Sequence, residues 1–198
     1  MTKLMDWLHE QTMFLGRFLL SPGQIGSVAP SSKELALAMM KPVPWGRIRT
    51  VAELGAGTGV ITKQIQLAAG AETQVILFEK DPYLRGQLKE RYPNYPCYTD
   101  GSHLRLFLKQ EGIESLDCII SGLPFFNFPQ YIRDRIVAEI VATLKKDGLF
   151  IAFQYSQQMK RQLMEHFDIL DIHFVPRNFP PAFVYVCRKK EGSSKAKL

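Results

Sequence analysis

The chain has 198 residues, 46% of them hydrophobic, which suits one substantial core; two full domains would be cramped. Its formal net charge of +6 points to anionic partners such as nucleic acid or a membrane surface, although Arg188, Lys189, Lys190, Lys195 and Lys197 put part of that charge in a solvated tail. No uninterrupted run approaches the roughly 20 apolar residues that span a bilayer, and Cys97, Cys118 and Cys187 lack the pairing or histidine neighbours of a disulfide framework or a zinc site. A soluble or peripheral protein with buried thiols, no metal and a cytoplasmic setting is expected.

In the first twenty residues, Leu4, Trp7, Leu8, Phe14, Leu15, Phe18 and Leu19 fall on one helical arc, with Lys3, Asp6, His9, Glu10 and Arg17 opposite. The same charges interrupt any signal-peptide core. This amphipathic helix either attaches to a membrane surface or packs over the domain, and its nearly balanced polar face does not decide between them. A loop through Gln24 and Ser27 follows, then a capping box, Ser31 with Glu34, that starts a helix over about 32–41. Pro42 and Pro44 end it.

From Ile48 onward, strand and helix patterns alternate, as in parallel sheets with crossover helices. The central stretch is Val51-Ala52-Glu53-Leu54-Gly55-Ala56-Gly57-Thr58-Gly59-Val60, an apolar strand broken by three alternate glycines before a helix start. Glycine permits positive φ and close backbone approach, and the amides that open a helix attract a ligand, so a nucleotide-like molecule is expected here. The dinucleotide fingerprint would need a third glycine at position 60, which is Val60, and Glu53 sits just before the turn. A carboxylate about 4 Å from a phosphate costs on the order of 4 kcal/mol at an effective dielectric of 20, and it attracts an ammonium by a similar amount. The turn therefore suits a zwitterion better than a pyrophosphate.

A strand over 74–78 ends at Glu79, some 20 residues past the glycines, where a carboxylate can hold a ribose diol or simply stand at a strand end. Asp81 caps the next helix, with Pro82 at its first position. A short strand over 96–98 leads to Asp100, and a strand over 116–121 runs into Gly122-Leu123-Pro124-Phe125-Phe126-Asn127, at the edge where open α/β sheets place their crevice. Asp117 has a simpler role in starting that strand. A helix over about 129–145, a strand over 148–154 and a helix over about 156–167 come next. Two strands, over 169–175 and 182–188, close the chain as a hairpin, so one of them runs antiparallel.

The turn Glu53-x-Gly55-x-Gly57-x-Gly59 resembles motif I of the class I S-adenosylmethionine-dependent methyltransferases. The resemblance covers about 45–190 and implies their Rossmann-like α/β fold: a seven-stranded, mostly parallel sheet in the order 3-2-1-4-5-7-6, here preceded by N-terminal helices. It divides the chain into helices over 1–44, a methyltransferase domain over 45–190 and a flexible tail over 191–198. The segments Ile25 to Ser32, Glu53 to Val60, Ser121 to Pro124 and Arg177 to Ala182 are similar to the bacterial phospholipid N-methyltransferases, which methylate phosphatidylethanolamine stepwise towards phosphatidylcholine. S-adenosyl-L-methionine is then the implied cofactor. Gln24 and Ser27 would close over its methionine half, Glu53 with the turn of Gly55, Ala56, Gly57 and Gly59 would hold its amino acid end, and Glu79 would take the ribose. Asp100 would face the adenine, with helix capping its other reading, and Lys80, Gly101 and Ser121 would complete the cofactor-binding set.

The acceptor side comprises Ser121, Leu123, Pro124, Asn127 and Tyr155, among which Tyr155, Asn127 and the carbonyls around 121–123 are the candidates for taking the amine's proton. Phe125 and Phe126 are candidates for holding an alkylammonium by cation-π attraction, and Arg177 for the lipid phosphate. The implied partner is a phospholipid surface, met through the N-terminal helix on the inner membrane face. RNA is the alternative partner, because the RNA adenine N6-dimethyltransferases share Leu123-Pro124-Phe125; Gly122 stands where their asparagine would be. A non-catalytic cofactor-binding module is a third reading.

Overall fold

The computed structural model describes residues 32–191. The N-terminal amphipathic segment, Gln24, Ser27 and the tail from 192 lie outside the described residues. Seven strands form one sheet: β1 (Thr50–Leu54), β2 (Gln74–Phe78), β3 (Cys97–Tyr98), β4 (Leu116–Ser121), β5 (Leu144–Gln154), β6 (Phe167–Val175) and β7 (Ala182–Lys189). Their order is β3-β2-β1-β4-β5-β7-β6, as expected from the sequence. Every neighbouring pair is parallel except β7, which is antiparallel to both β5 and β6.

Strand alternation sends successive side chains to opposite faces, and two apolar layers result. Helices α1 (Lys33–Met40), α2 (Val60–Ala68) and α3 (Pro82–Arg91) cover the face carrying Val51, Leu77, Cys118 and Ile151. Helices α4 (Leu104–Gln110), α5 (Gln130–Thr143) and α6 (Lys160–His166) cover the face carrying Ala52, Ile76, Ile119 and Phe150. Glu53 shares the parity of Val51 and so enters the largely apolar α1–α3 layer, where the buried Thr62 of α2 meets it. Among the described residues no helix is long and apolar enough to cross a membrane, and the three cysteines are free and buried.

Local differences from the sequence expectation have physical causes. The cap of α1 is Ser32 and not Ser31: its hydroxyl accepts the Leu35 amide at 3.1 Å, one residue later than the capping-box pattern suggested. Strand β5 begins at Leu144 because it pairs there with Leu116, bulges over 145–148 with Asp147 at φ 61, and rejoins β4 at Leu149. Asp117 works at the amino edge of the sheet. Its carboxylate accepts the Arg49 and Thr50 amides at 2.8 and 2.9 Å and the Lys145 ammonium at 2.7 Å, which clips β1, β4 and the bulge together. Asp81 caps α3 by accepting the Tyr83 and Leu84 amides, with Pro82 at the first turn, as read from the sequence.

Candidate active site

The glycine turn follows β1 with Gly55, Gly57 and Gly59 at φ 76, 55 and 84, the left-handed region that other residues enter only with strain. The Gly55 and Ala56 amides both donate to the Phe78 carbonyl, at 2.8 and 3.0 Å, fixing the turn against the end of β2. Glu79 then reaches across. Its Oε2 accepts the Gly57 amide at 2.7 Å and its Oε1 accepts the Asp81 amide at 2.9 Å. The carboxylate thus stands over the turn, with lone pairs to spare for a hydroxyl donor. Gly59 has a packing reason as well, since a β-carbon there would lie 3.1 Å from Leu88 and 3.2 Å from Tyr92 of the neighbouring helix.

Glu53 is the unusual member. It is 0% exposed, and Thr62 Oγ1 on α2 donates to its Oε2 at 2.7 Å. Its Oε1 is buried with no partner. Loss of hydration pushes the carboxyl from 4.5 up to about 8, with the Thr62 hydrogen bond opposing and the nearby Glu79 charge adding to the rise. The sequence argument took Glu53 as ionised; the structure corrects this, because near neutrality most of it carries a proton until a cation faces it.

Of the other residues assigned to the cofactor from the sequence, those among the described residues lie at the same edge. Asp100 accepts the Ser102 amide at 2.8 Å, the capping role foreseen as one of its two readings. Gly101 abuts the tip of β1, where a β-carbon would lie 3.2 Å from Leu54 Cδ2. Lys80 is exposed beside Glu79. After β4, the Gly122 amide donates to the Leu54 carbonyl at 2.8 Å, and a β-carbon on Gly122 would sit 2.9 Å from the Gly55 carbonyl oxygen. Leu123 lies over Gly55, so the two tips interlock.

On the acceptor side, Ser121 is fully buried and its Oγ accepts the Leu123 amide at 3.2 Å, while the Leu123 carbonyl accepts Gln154 Nε2 at 2.9 Å. Pro124 and Asn127 are half-buried around a single 3-10 turn. The two phenylalanines separate. Phe125 is 1% exposed and packs edge-on against Phe128 and Phe150, so its ring belongs to the core and does not line the crevice; Phe126 is 51% exposed. Tyr155, at the tip of β5, is half-buried, and desolvation pushes its hydroxyl up to about 12 against the effect of the adjacent Asn178. That keeps it a neutral phenol at physiological pH and removes it as a base. Arg177 is exposed in the β6–β7 connection, and no described contact ties it to the cofactor side.

Three residues that sequence reading passed over complete the picture. Thr62 holds Glu53, Gln154 holds the β4 loop, and Asn178, which is buried, joins the β6–β7 connection to the start of α1: its Oδ1 accepts the Ser32 amide at 3.0 Å and its Nδ2 donates to the Pro180 carbonyl at 2.6 Å. Thr62 and Gln154 carry no sequence signal beyond a polar residue near apolar ones, while Asn178 stands in the Arg177 to Ala182 segment without a role of its own.

No family model matches the chain. An ornithine lipid N-methyltransferase of Singulisphaera acidiphila, however, is 36% identical over 181 residues, covering 89% of this chain and 94% of that protein. The chain belongs to that methyltransferase family. It is a class I S-adenosylmethionine-dependent N-methyltransferase, and S-adenosylmethionine is its cofactor. The ribosomal RNA small subunit methyltransferase A of Dehalococcoides mccartyi is 30% identical over 142 residues, but the chain spans only 42% of its length. Among solved structures, the 1,6-didemethyltoxoflavin-N1-methyltransferase of Burkholderia thailandensis superposes with a TM-score of 0.67 at 18% identity, covering 92% of this chain and 90% of that one, which reflects the shared fold. The site fits the cofactor by its own chemistry. A buried carboxylate oxygen without a partner beside the glycine turn offers an ammonium its counter-charge, and Glu79 offers a diol its acceptor.

Proposed function

We propose that this methyltransferase acts on the primary amine of a membrane aminolipid. The observation that carries this reading is the 36% identity to a protein named for ornithine lipid N-methylation, extending over nearly the whole of both chains. Two headgroups suit it: ethanolamine phosphate, as in the phosphatidylethanolamine expected from the sequence, and ornithine. Each pairs an amine with an anion, and Arg177 is the cation suited to a phosphate or a carboxylate.

Bound S-adenosylmethionine supplies a methyl group on a positively charged sulfur, open to displacement by an amine lone pair. The protein's part is placement, which can supply roughly 7 to 11 kcal/mol of a barrier. In this reading Glu53, Glu79, Asp100 and Gly101, with Gln24 and Ser27 over the methionine end, hold the cofactor across the tips of β1 to β3. Ser121, Leu123, Pro124 and Asn127 frame the amine at the tip of β4, where the 121–123 carbonyls and the Asn127 amide oxygen accept its hydrogens. Phe126 stabilises the growing alkylammonium by roughly 0.5 to 2 kcal/mol. Because Tyr155 stays protonated, it contributes a hydrogen bond, and the amine reaches its neutral form by losing a proton to water. The amphipathic N-terminal helix attaches the enzyme to the cytoplasmic face of the membrane.

RNA adenine is disfavoured by Gly122. An asparagine there would place its β-carbon 2.9 Å from the Gly55 carbonyl oxygen, a backbone atom of the cofactor turn. Labelled methyl donor offered separately to phosphatidylethanolamine vesicles, ornithine lipid vesicles and RNA tests the proposal. Label in either lipid supports it and ranks the headgroups, whereas label confined to RNA overturns it.

A further inference from the structure

Aromatic rings stand in solvent at the carboxyl edge of the sheet, at the end of the strand order opposite β3. Phe174, 48% exposed, is the next-to-last residue of β6 and lies across the ladder from Phe183, the two rings tilted by 37° with centroids 5.0 Å apart. Phe179, 65% exposed, projects from the connection between β6 and β7. This connection is no slack loop. The buried Asn178 side chain fastens it to the start of α1 and to Pro180, and Pro180 is itself buried. A large apolar ring held outward on a pinned backbone loses little entropy on insertion, and it stays costly in water unless something covers it. Exposed Arg177 lies two residues before it.

A ring at the tip with a guanidinium beside it matches the headgroup level of an anionic bilayer, where apolar bodies sit at the acyl boundary and cations meet phosphate. Topology adds a second argument. The hairpin is next to β5 in the sheet, and β5 is next to β4, whose loop holds the proposed acceptor site. An aminolipid reaching that loop must keep its acyl chains in the membrane, because each methylene lifted into water costs free energy. The bilayer must therefore come close to this edge.

We propose that the end of the β6–β7 hairpin, with Phe179 at its tip and Phe174 on its shoulder, is a membrane-docking surface that enters the headgroup region of an anionic bilayer, in addition to any contact made by the N-terminal helix. The inference rests on the lipid reading above. It is tested with the full-length chain carrying Phe174→Ser and Phe179→Ser together, both at exposed sites, using vesicles of phosphatidylglycerol and phosphatidylethanolamine. Vesicle partitioning falls about tenfold, while methyl transfer to a monomeric short-chain aminolipid keeps the wild-type rate. Phe179→Trp gives an independent readout, since its added emission shifts to the blue on mixing with the vesicles. Unchanged partitioning, no wild-type binding, or a double substitution that instead abolishes self-association of the chain overturns the proposal. Absence of transfer to any lipid, with partitioning still dependent on the two rings, would sink the substrate assignment and leave the docking surface standing.

Discussion

Thr62 and Glu53 are joined by a 2.7 Å hydrogen bond between two fully buried side chains, one on α2 and one on β1, and that bond satisfies only one of the two carboxylate oxygens. Glu53→Gln keeps the shape but removes the charge that would answer an ammonium. Its affinity for S-adenosylmethionine falls about ten- to hundredfold, the usual scale for losing a charge-assisted hydrogen bond. Thr62→Val leaves the carboxyl with no described partner and lowers affinity in the same direction, and Thr62→Ser restores it. Titration calorimetry on the three variants checks the order.

The proton on Glu53 sets a pH dependence whose sign is fixed. Its folded value, about 8, lies above its ordinary 4.5, so the protonated form favours the fold. That contribution is complete below about pH 4.5 and is lost as the pH rises through about 8. Glu53→Gln is neutral throughout. The melting temperature of the variant minus that of the wild type, without cofactor, therefore increases from about pH 5 to about pH 9; parallel curves would contradict the burial argument. Cofactor binding near pH 7 should also release protons, seen as a binding heat that varies with the ionisation enthalpy of the buffer.

Gly122 is constrained by the cofactor turn. Gly122→Ala forces its β-carbon against the Gly55 carbonyl at 2.9 Å, so backbone must move. A loss of about 1 to 3 kcal/mol of stability is expected, together with weaker cofactor binding. Gly122→Asn, which would complete the RNA-type acceptor motif, should be worse and should confer no RNA methylation. Thermal melting and labelled-donor transfer to RNA measure the two halves.

Tyr155 acts as a neutral hydroxyl. Tyr155→Phe is expected to lower the transfer rate by about tenfold or less, the scale of one hydrogen bond, and to leave the shape of the pH-rate profile between pH 7 and 9 unchanged. A basic limb that disappears in the variant would show that the phenol takes the proton.

Much of this was legible in the sequence because the signals were local. Three glycines on alternate positions, an acid ending each of two apolar runs, and Asp81 before Pro82 each encode a turn or a cap within a few residues. The strand order came with the family resemblance that the glycine turn carries, not from the elements themselves. What escaped depended on long-range partners. Nothing near Phe125 indicates that it turns inward to Phe150 while Phe126 turns out. Nothing near Asn178 points to Ser32, 146 positions away, and Thr62 becomes meaningful only when α2 packs on β1. The ionisation of Glu53 was misread for the same reason, since its burial is made by α1 to α3 and not by its neighbours in the chain.

We propose that Glu53 and Glu79 grip opposite ends of S-adenosylmethionine across the tips of β1 and β2. Equilibrium binding of S-adenosylmethionine to the wild type and to a Glu53→Ala, Glu79→Ala double variant, with folding confirmed by melting, tests it most directly. Measurable affinity in the wild type that is lost in the variant is the predicted result; equal affinity in both would contradict the account.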